Sequence, residues 1–264
     1  MCDACGCNPG TATASVAYKP MHDTATVSIL RNLLQGNDEQ AAHNRRHFDT
    51  CGVLAINLMS APGSGKTSLL ESTIDALQGT LRLAVIEGDL ETENDARRIR
   101  AKGIPAVQIT TGTACHLDAP MVHEALHAIN LDSIDVLFIE NVGNLVCPAS
   151  FDLGQHCNVV LLSATEGDDK PAKYPVMFRA ADLVVITKGD LLPCLDDFSP
   201  ARARQNLRNL ASHAPVLELS ARRRDTLTPW VRWVRSAAAA RRARVAQPAA
   251  VCASGQRGMQ APAA

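Results

Sequence analysis

The segment from Ser60 to Thr67, SAPGSGKT, contains the residue types that bind a nucleotide phosphate. It follows an apolar run and precedes a helical run, which is the context that a Walker A loop requires. Gly63 and Gly65 let consecutive backbone amides turn toward one phosphate, and the following helix adds its positive end. Lys66 would neutralise the β- and γ-phosphate oxygens, and the Thr67 hydroxyl would bind Mg²⁺. The predicted phosphate-binding residues are Gly63, Ser64, Gly65, Lys66, Thr67 and Ser68.

Acidic residues end two further apolar runs that are strand candidates. Glu87-Gly88-Asp89 ends one run, and Glu140 ends the other. The carboxyl ends of strands in an open α/β sheet line one crevice, so we expect these acids to lie near the phosphate loop. Either acid alone could instead cap an element, as Asp89 could before the segment ETENDARR. As a pair, Asp89 and Glu140 are predicted to hold Mg²⁺ for hydrolysis.

The apolar run DLVVIT leads into Thr187-Lys188-Gly189-Asp190, which predicts a base-binding loop. The carboxylate of Asp190 can accept hydrogen bonds from two guanine nitrogens, whereas adenine would leave it unpaired. Lys188 would lie along the base plane, and Ser220-Ala221 after PVLELS would form a second guanine loop. GTPases usually have Asn where Thr187 stands, and the side-chain amide of that Asn joins neighbouring loops. We therefore expect this connection to be lost in the present chain. The alternative is an ordinary Lys-Gly-Asp turn after a strand.

Cys2, Cys5 and Cys7 form a cysteine tip at the start of the chain. Thiolates suit soft or borderline metals, and three of them with one nitrogen could hold Ni²⁺ in a square plane. If Met1 is removed, the new α-amine on Cys2 supplies that nitrogen. Half of a zinc ribbon is an alternative, but it needs a second Cys-x-x-Cys, which the sequence lacks.

Cys115-His116 and Cys147 form a second set, because both segments would leave the sheet near the nucleotide. Three ligands could be completed across a dimer axis or could leave an open position for exchange. Cys147 could equally be a small buried residue, and His116 could simply begin a helix. Spacing alone therefore does not favour a metal site here.

Composition restricts the compartment and the class of partner. The 264 residues carry a formal net charge of −1, which favours neither nucleic acid nor an anionic membrane. We find no apolar run that could span a bilayer and no secretory signal, so the expected location is the cytoplasm. Thiols stay reduced there, so the nine cysteines are expected to be metal ligands, nucleophiles or small buried residues rather than disulfides.

Continuous apolar runs alternate with helical stretches, which predicts an α/β fold: a doubly wound, mostly parallel sheet with helices on both faces. We predict a flexible arm over residues 1–25 and a helical lead-in over 26–50, as two short helices or one broken at Gly36. A P-loop domain over 51–235 and a disordered tail over 236–264 follow. The seven strand candidates are residues 53–59, 81–87, 105–110, 134–140, 158–164, 182–188 and 215–221.

The chain resembles the hydrogenase nickel-incorporation GTPases, which belong to the SIMIBI class of P-loop proteins. The likeness covers Thr26 to about Val234 and the cysteine tip. The matching segments include AAHNRRHF, SAPGSGKTSLLE, VIEGDLETENDARRIR, TGTACHLDA, FIENVGNLVCPASFDLG and EGDDKPAKYPVMF. Several of them are long and specific, so chance does not explain the match.

The resemblance implies a homodimer that forms on GTP binding and delivers nickel to the hydrogenase large subunit, together with other maturation proteins. It implies a tight nickel site at the cysteine tip and a second site, for nickel or zinc, at Cys115, His116 and Cys147. We expect the backbone of Gly143 to sense the γ-phosphate and nucleotide state to alter the ligand Cys147 through the same loop. Turnover is expected to be slow, because no arginine finger can be identified.

Three other functions remain open at this stage. A GTPase for another nickel enzyme, such as urease, would share the fold, but the cysteine tip argues against it. A small-molecule kinase would use ATP and need no such tip, so a nucleotide competition assay would distinguish it from a GTPase. A passive metal carrier would show no GTP turnover. The predicted arm contains a single histidine, His22, so we do not expect it to store nickel.

Overall fold

The computed structural model describes residues 24–91 and 93–246. Seven parallel strands form one sheet. The strands are β1 Leu54–Ser60, β2 Leu83–Asp89, β3 Ala106–Thr110, β4 Val136–Glu140, β5 Cys157–Ser163, β6 Leu183–Thr187 and β7 Val216–Glu218. Their order in the sheet is β3-β2-β4-β1-β5-β6-β7. The central strands β1, β4 and β6 are buried along their whole length because both of their faces are covered.

Helices cover both faces of this sheet, which confirms the predicted fold class. The helices are α1 Thr24–Cys51, α2 Lys66–Leu77, α3 Asn94–Arg100, α4 Ala119–Leu126, α5 Lys170–Lys173, α6 Pro175–Arg179, α7 Pro200–Asn209 and α8 Thr228–Ala246. On one face, Ile56 and Val85 pack with Leu70 of α2 and Trp230 of α8. On the other face, strand residues pack with Phe48 of α1 and with residues of α4.

The lead-in is one continuous helix, so the predicted break at Gly36 is wrong. The side chain of Asn37 explains why helix α1 continues: it donates to the carbonyl oxygen of Asp152 at 2.9 Å and accepts from the amide of Ala119 at 2.9 Å. These contacts tie the middle of α1 to two distant segments. They offset the weak helix propensity of the sequence Gly-Asn-Asp.

The predicted tail over 236–264 begins too early, because α8 continues to Ala246. Its last turns are held by ion pairs, between Arg241 and Asp49 and between Arg242 and Asp135. Residues 247–264 and the predicted arm, apart from the start of α1, lie outside the described residues. Among the helices of residues 24–91 and 93–246, none is long and apolar enough to span a bilayer.

Candidate nucleotide and metal site

The carboxyl edge of the sheet brings the phosphate loop and both predicted base loops together. A cavity of about 310 Å³ lies between them. The predicted residues that line this cavity are Gly63, Ser64, Gly65, Ser68, Lys188, Asp190, Ser220 and Ala221. The groups predicted to bind phosphate and base thus surround a single space.

The phosphate loop has the backbone conformation that a Walker A loop needs. Gly63 and Gly65 have φ angles of 73° and 93°, a region that other residues rarely adopt. Helix α2 begins directly after Gly65, so the amides of its first turn are available to an anion. The buried Lys66 donates from Nζ to the Ser60 hydroxyl at 3.1 Å. Ser60, which stands where the usual pattern has its first glycine, therefore holds the lysine against the loop.

Three acidic residues form a cluster beside Thr67. The carboxylate oxygens of Glu87, Asp95 and Glu140 lie within 4.8 Å of one another, and the Thr67 hydroxyl donates to Glu140 at 2.9 Å. Both glutamates are buried, and one oxygen of each (Oε2) has no hydrogen-bond partner among the described residues. Burial raises the pKa of Glu87 and Glu140, and the charge of Glu140 raises that of Glu87 further. Buried oxygens in need of a partner, beside a hydroxyl, fit Mg²⁺.

The strand register explains why Asp89 is not part of this acidic cluster. Glu87 on β2 pairs directly with Glu140 on β4, and Asp89 lies two residues further on. The carboxylate of Asp89 accepts from the amide of Leu90 at 2.8 Å. Glu140 thus has Glu87 and Asp95 as its acidic neighbours, and Asp95 of α3 is a residue that sequence reasoning missed. A role of Asp89 in binding Mg²⁺ stays a prediction.

The two base loops are tied to the phosphate loop and to each other. Thr187 donates from its hydroxyl to the Ser64 carbonyl at 2.7 Å. This hydrogen bond joins the two loops, so the predicted loss of a connection at position 187 is wrong. The amide of Gly189 donates to the carbonyl oxygen of Leu219 at 3.0 Å. Lys188 adopts a left-handed conformation, with φ 56°. Glu166, a further residue that the sequence did not single out, accepts a hydrogen bond from the Ser64 hydroxyl.

The loop after β4 touches both the phosphate loop and the second cysteine set. A Cβ atom on Gly143 would lie 2.8 Å from the Cα of Pro62, so this close approach requires glycine. The next residue, Asn144, donates from its backbone amide to the Ser60 carbonyl at 2.8 Å. The side chain of Asn144 donates to the Cys115 carbonyl at 3.2 Å.

Cys115, His116 and Cys147 lie together at the end of this loop and are called the thiol cluster below. The two Sγ atoms are 3.1 Å apart, and Cys115 Sγ is 3.8 Å from Nδ1 of His116. The His116 ring stacks on Phe151 with centroids 3.9 Å apart. The hydrogen bond with Cys115 raises the pKa of the Cys147 thiol, whereas burial lowers the pKa of His116. Two sulfurs and a neutral imidazole make a donor set for a borderline metal.

The other predicted ligands are not tested by this geometry. The cysteine tip of Cys2, Cys5 and Cys7 lies outside the described residues.

The helix predicted to begin at His116 begins at Ala119, because Asp118 caps it by accepting from the amide of Met121 at 2.8 Å.

Comparisons with known proteins find a matching family model and similar curated proteins. The family model described as "CobW/HypB/UreG, nucleotide-binding domain" matches residues 54–218. The chain is 48% identical over 228 residues to "Hydrogenase maturation factor HypB" of Rhizobium leguminosarum bv. viciae, covering 86% of this chain and 76% of the relative. It is 46% identical over 225 residues to the protein of the same name from Escherichia coli K12, covering 85% and 77%.

Two solved structures share the fold over most of the chain. One is HypB from Helicobacter pylori in complex with nickel, with 41% identity, a TM-score of 0.74 and coverage of 78% of this chain and 96% of that chain. The other is the hydrogenase maturation factor HypB from Archaeoglobus fulgidus, with 36% identity, a TM-score of 0.72 and coverage of 78% and 100%.

Proposed function

The chain belongs to the HypB family of hydrogenase maturation factors, and from that premise we propose that it hydrolyses GTP to control the delivery of nickel to a hydrogenase. Nickel is the cargo, and GTP is the substrate. The observation that carries the proposal is the loop after β4, which joins the two sites. Gly143 and Asn144 contact the phosphate loop, and the side chain of Asn144 contacts Cys115.

The phosphate site supports a GTPase reaction. Lys66 and the amides at the start of α2 would hold the phosphates, and Asp190 would accept hydrogen bonds from guanine. Mg²⁺, held by Thr67 with Glu140 and its acidic neighbours, would neutralise charge that develops on the phosphate oxygens. We expect GTP turnover to be slow. Within residues 24–91 and 93–246 we assign no arginine that could stabilise the transition state.

The thiol cluster supports transient metal binding. Its three ligands fit nickel or zinc and leave a position for a partner's ligand or for exchange. Cys115 is exposed, so a second copy of the chain could reach the cluster. We propose a homodimer formed on GTP binding that acts in the cytoplasm with other maturation proteins and the hydrogenase large subunit. The cysteine tip would supply the tighter nickel site.

Substitution of Asn144 tests the coupling directly. In chains with serine at Cys2, Cys5 and Cys7, nickel affinity is measured with and without a non-hydrolysable GTP analogue. Asn144→Ala removes the side-chain contact to Cys115 and keeps the backbone amide that contacts Ser60. We expect the variant to bind nucleotide but to lose the dependence of nickel affinity on nucleotide.

The matched control is Asn209→Ala, at an exposed position at the end of α7, which should keep the full nucleotide dependence. Unchanged coupling in Asn144→Ala would contradict the proposed route. An absence of GTP turnover in the unaltered chain would contradict the GTPase assignment itself.

A further inference from the structure

A groove lined by arginines lies between helices α2 and α8, beside the nucleotide cavity. Its volume is about 660 Å³, against about 310 Å³ for the nucleotide cavity. Arg222 and Arg224 reach it from the loop after β7, and Arg232 and Arg235 reach it from α8. The space lined by these residues is called the arginine groove below.

The arginines of the groove have no acidic partner. Within residues 24–91 and 93–246, no carboxylate pairs with any of them, and Arg235 reaches only the Thr80 hydroxyl, at 3.4 Å. All of these arginines are exposed. Arg232 and Arg235 are three residues apart on α8, so they are neighbours on the helix surface and repel each other. An anion between the guanidinium groups would replace this repulsion with attraction.

The positive charge is confined to the groove. Among the described residues that line it, Asp75 of α2 is the acid, and it pairs with Lys102 at 2.8 Å. Glu71, one turn earlier on α2, pairs with Arg98 at 2.6 Å. The surface beside the groove is therefore balanced in charge, and an extended polyanion would gain little by continuing along it.

The floor of the groove is apolar. Leu227 is buried there and Val231 is half-buried. A guanidinium group can hold a carboxylate through two parallel hydrogen bonds, which favours planar carboxylates at the rim. Small apolar side chains between those carboxylates would cover the floor. The groove thus fits a short chain that carries both kinds of group.

We propose that the arginine groove binds a short acidic segment of a partner protein, in which carboxylates alternate with small apolar side chains. Arginine clusters are a common receptor for acidic motifs. The ends of this chain do not supply the segment, because residues 247–264 contain no acid and residues 1–23 contain only Asp3 and Asp23. Nucleic acid fits less well, because its phosphate backbone would leave the groove onto the paired charges of α2.

The arginine groove borders the loop that is predicted to hold guanine. Ala221 and Arg222 line both the groove and the nucleotide cavity. Ser72 of α2 donates from its hydroxyl to the Ala221 carbonyl at 2.8 Å. A segment in the groove would therefore lie directly behind this loop. Binding of the segment does not depend on the proposed GTPase reaction, so it can be measured without nucleotide.

The test uses the full chain and a fluorescein-labelled peptide with capped ends, in which glutamates alternate with alanines. Binding is measured by fluorescence anisotropy at low salt. We expect one peptide to bind per chain, and the affinity to fall by roughly tenfold or more when Arg232→Glu and Arg235→Glu are combined. Both positions are exposed, so the variant should keep its fold, which a thermal unfolding scan would check.

The matched control combines Arg46→Glu with Arg179→Glu, which makes the same change in net charge at exposed positions on α1 and α6. It should bind the peptide as the parent chain does. The proposal is overturned if the parent chain does not bind the peptide, or binds a version with glutamine for glutamate equally well. Equal loss of affinity in the two double variants would also overturn it. Tighter binding of a short oligothymidylate than of the peptide would identify the ligand as nucleic acid instead.

Discussion

Lys66 is the buried cation of the phosphate loop, and its ammonium group contacts the Ser60 hydroxyl. We predict that Lys66→Ala lowers the GTP turnover number by roughly a hundredfold or more, because it removes the charge that stabilises the transferring phosphate. The fold should persist, which a thermal unfolding scan would check. Lys102→Ala, at a half-buried lysine that pairs with Asp75 away from the nucleotide site, is the control. Equal GTP turnover in the two variants would show that Lys66 does not contribute to hydrolysis.

Asp190 lines the same cavity as the phosphate loop and is predicted to read guanine. Hydrogen bonds to a charged group contribute about 1.5–3 kcal/mol, so Asp190→Asn should weaken GTP binding by roughly tenfold to a hundredfold. ATP binding should change little, and the GTP preference should therefore fall. Competition between the two nucleotides measures this preference. Asp196→Asn, at an exposed position beyond the same loop, should leave it unaltered.

In the proposed mechanism the loop after β4 connects nucleotide to metal, and Gly143 lets this loop approach Pro62. A methyl group at Gly143 would meet the Pro62 backbone at 2.8 Å, so one of the two loops must move. We predict that Gly143→Ala lowers GTP turnover by up to about a hundredfold, because small displacements at a catalytic site are costly. Steady-state phosphate release is the measurement.

Gly36→Ala is the matched control for the variant at Gly143. A Cβ atom at Gly36 would have no neighbour within 4 Å, and alanine favours the middle of helix α1. This variant should be at least as stable as the parent chain and should hydrolyse GTP at the same rate. Normal turnover in Gly143→Ala would show that the close approach to Pro62 is dispensable.

The number of strands and their positions along the chain could be predicted from the apolar runs, because each strand overlaps a predicted run. The carboxyl-edge position of the three loops follows from the parallel sheet alone. Strand register does not follow from it, so the direct pairing of Glu87 with Glu140 could not be predicted from the sequence. The continuity of α1 also depends on long-range contacts of Asn37. Contacts between distant segments leave no periodic signal in the sequence.

On the scale of the whole molecule, the thiol cluster lies at one end of the loop that touches the phosphate loop. Cys115 and His116 precede the N-terminus of helix α4, and Cys147 lies on the segment that follows β4. Asn144 of that segment contacts both the Ser60 carbonyl and the Cys115 carbonyl. Nucleotide state should therefore influence the thiol cluster.

The cysteine tip and the thiol cluster should respond differently to substitution. Replacing Cys2, Cys5 and Cys7 together should eliminate the tighter nickel site and leave GTP turnover nearly unchanged, because the tip is far in sequence from the phosphate loop. Replacing Cys115 or Cys147 should keep that tight site but abolish the effect of nucleotide on metal binding. Nickel titration of each variant, with and without a non-hydrolysable GTP analogue, separates the two. The hypothesis of two distinct nickel sites is refuted if the tip variant retains the tight site. It is also refuted if nucleotide never alters nickel binding by the thiol cluster in the unaltered chain.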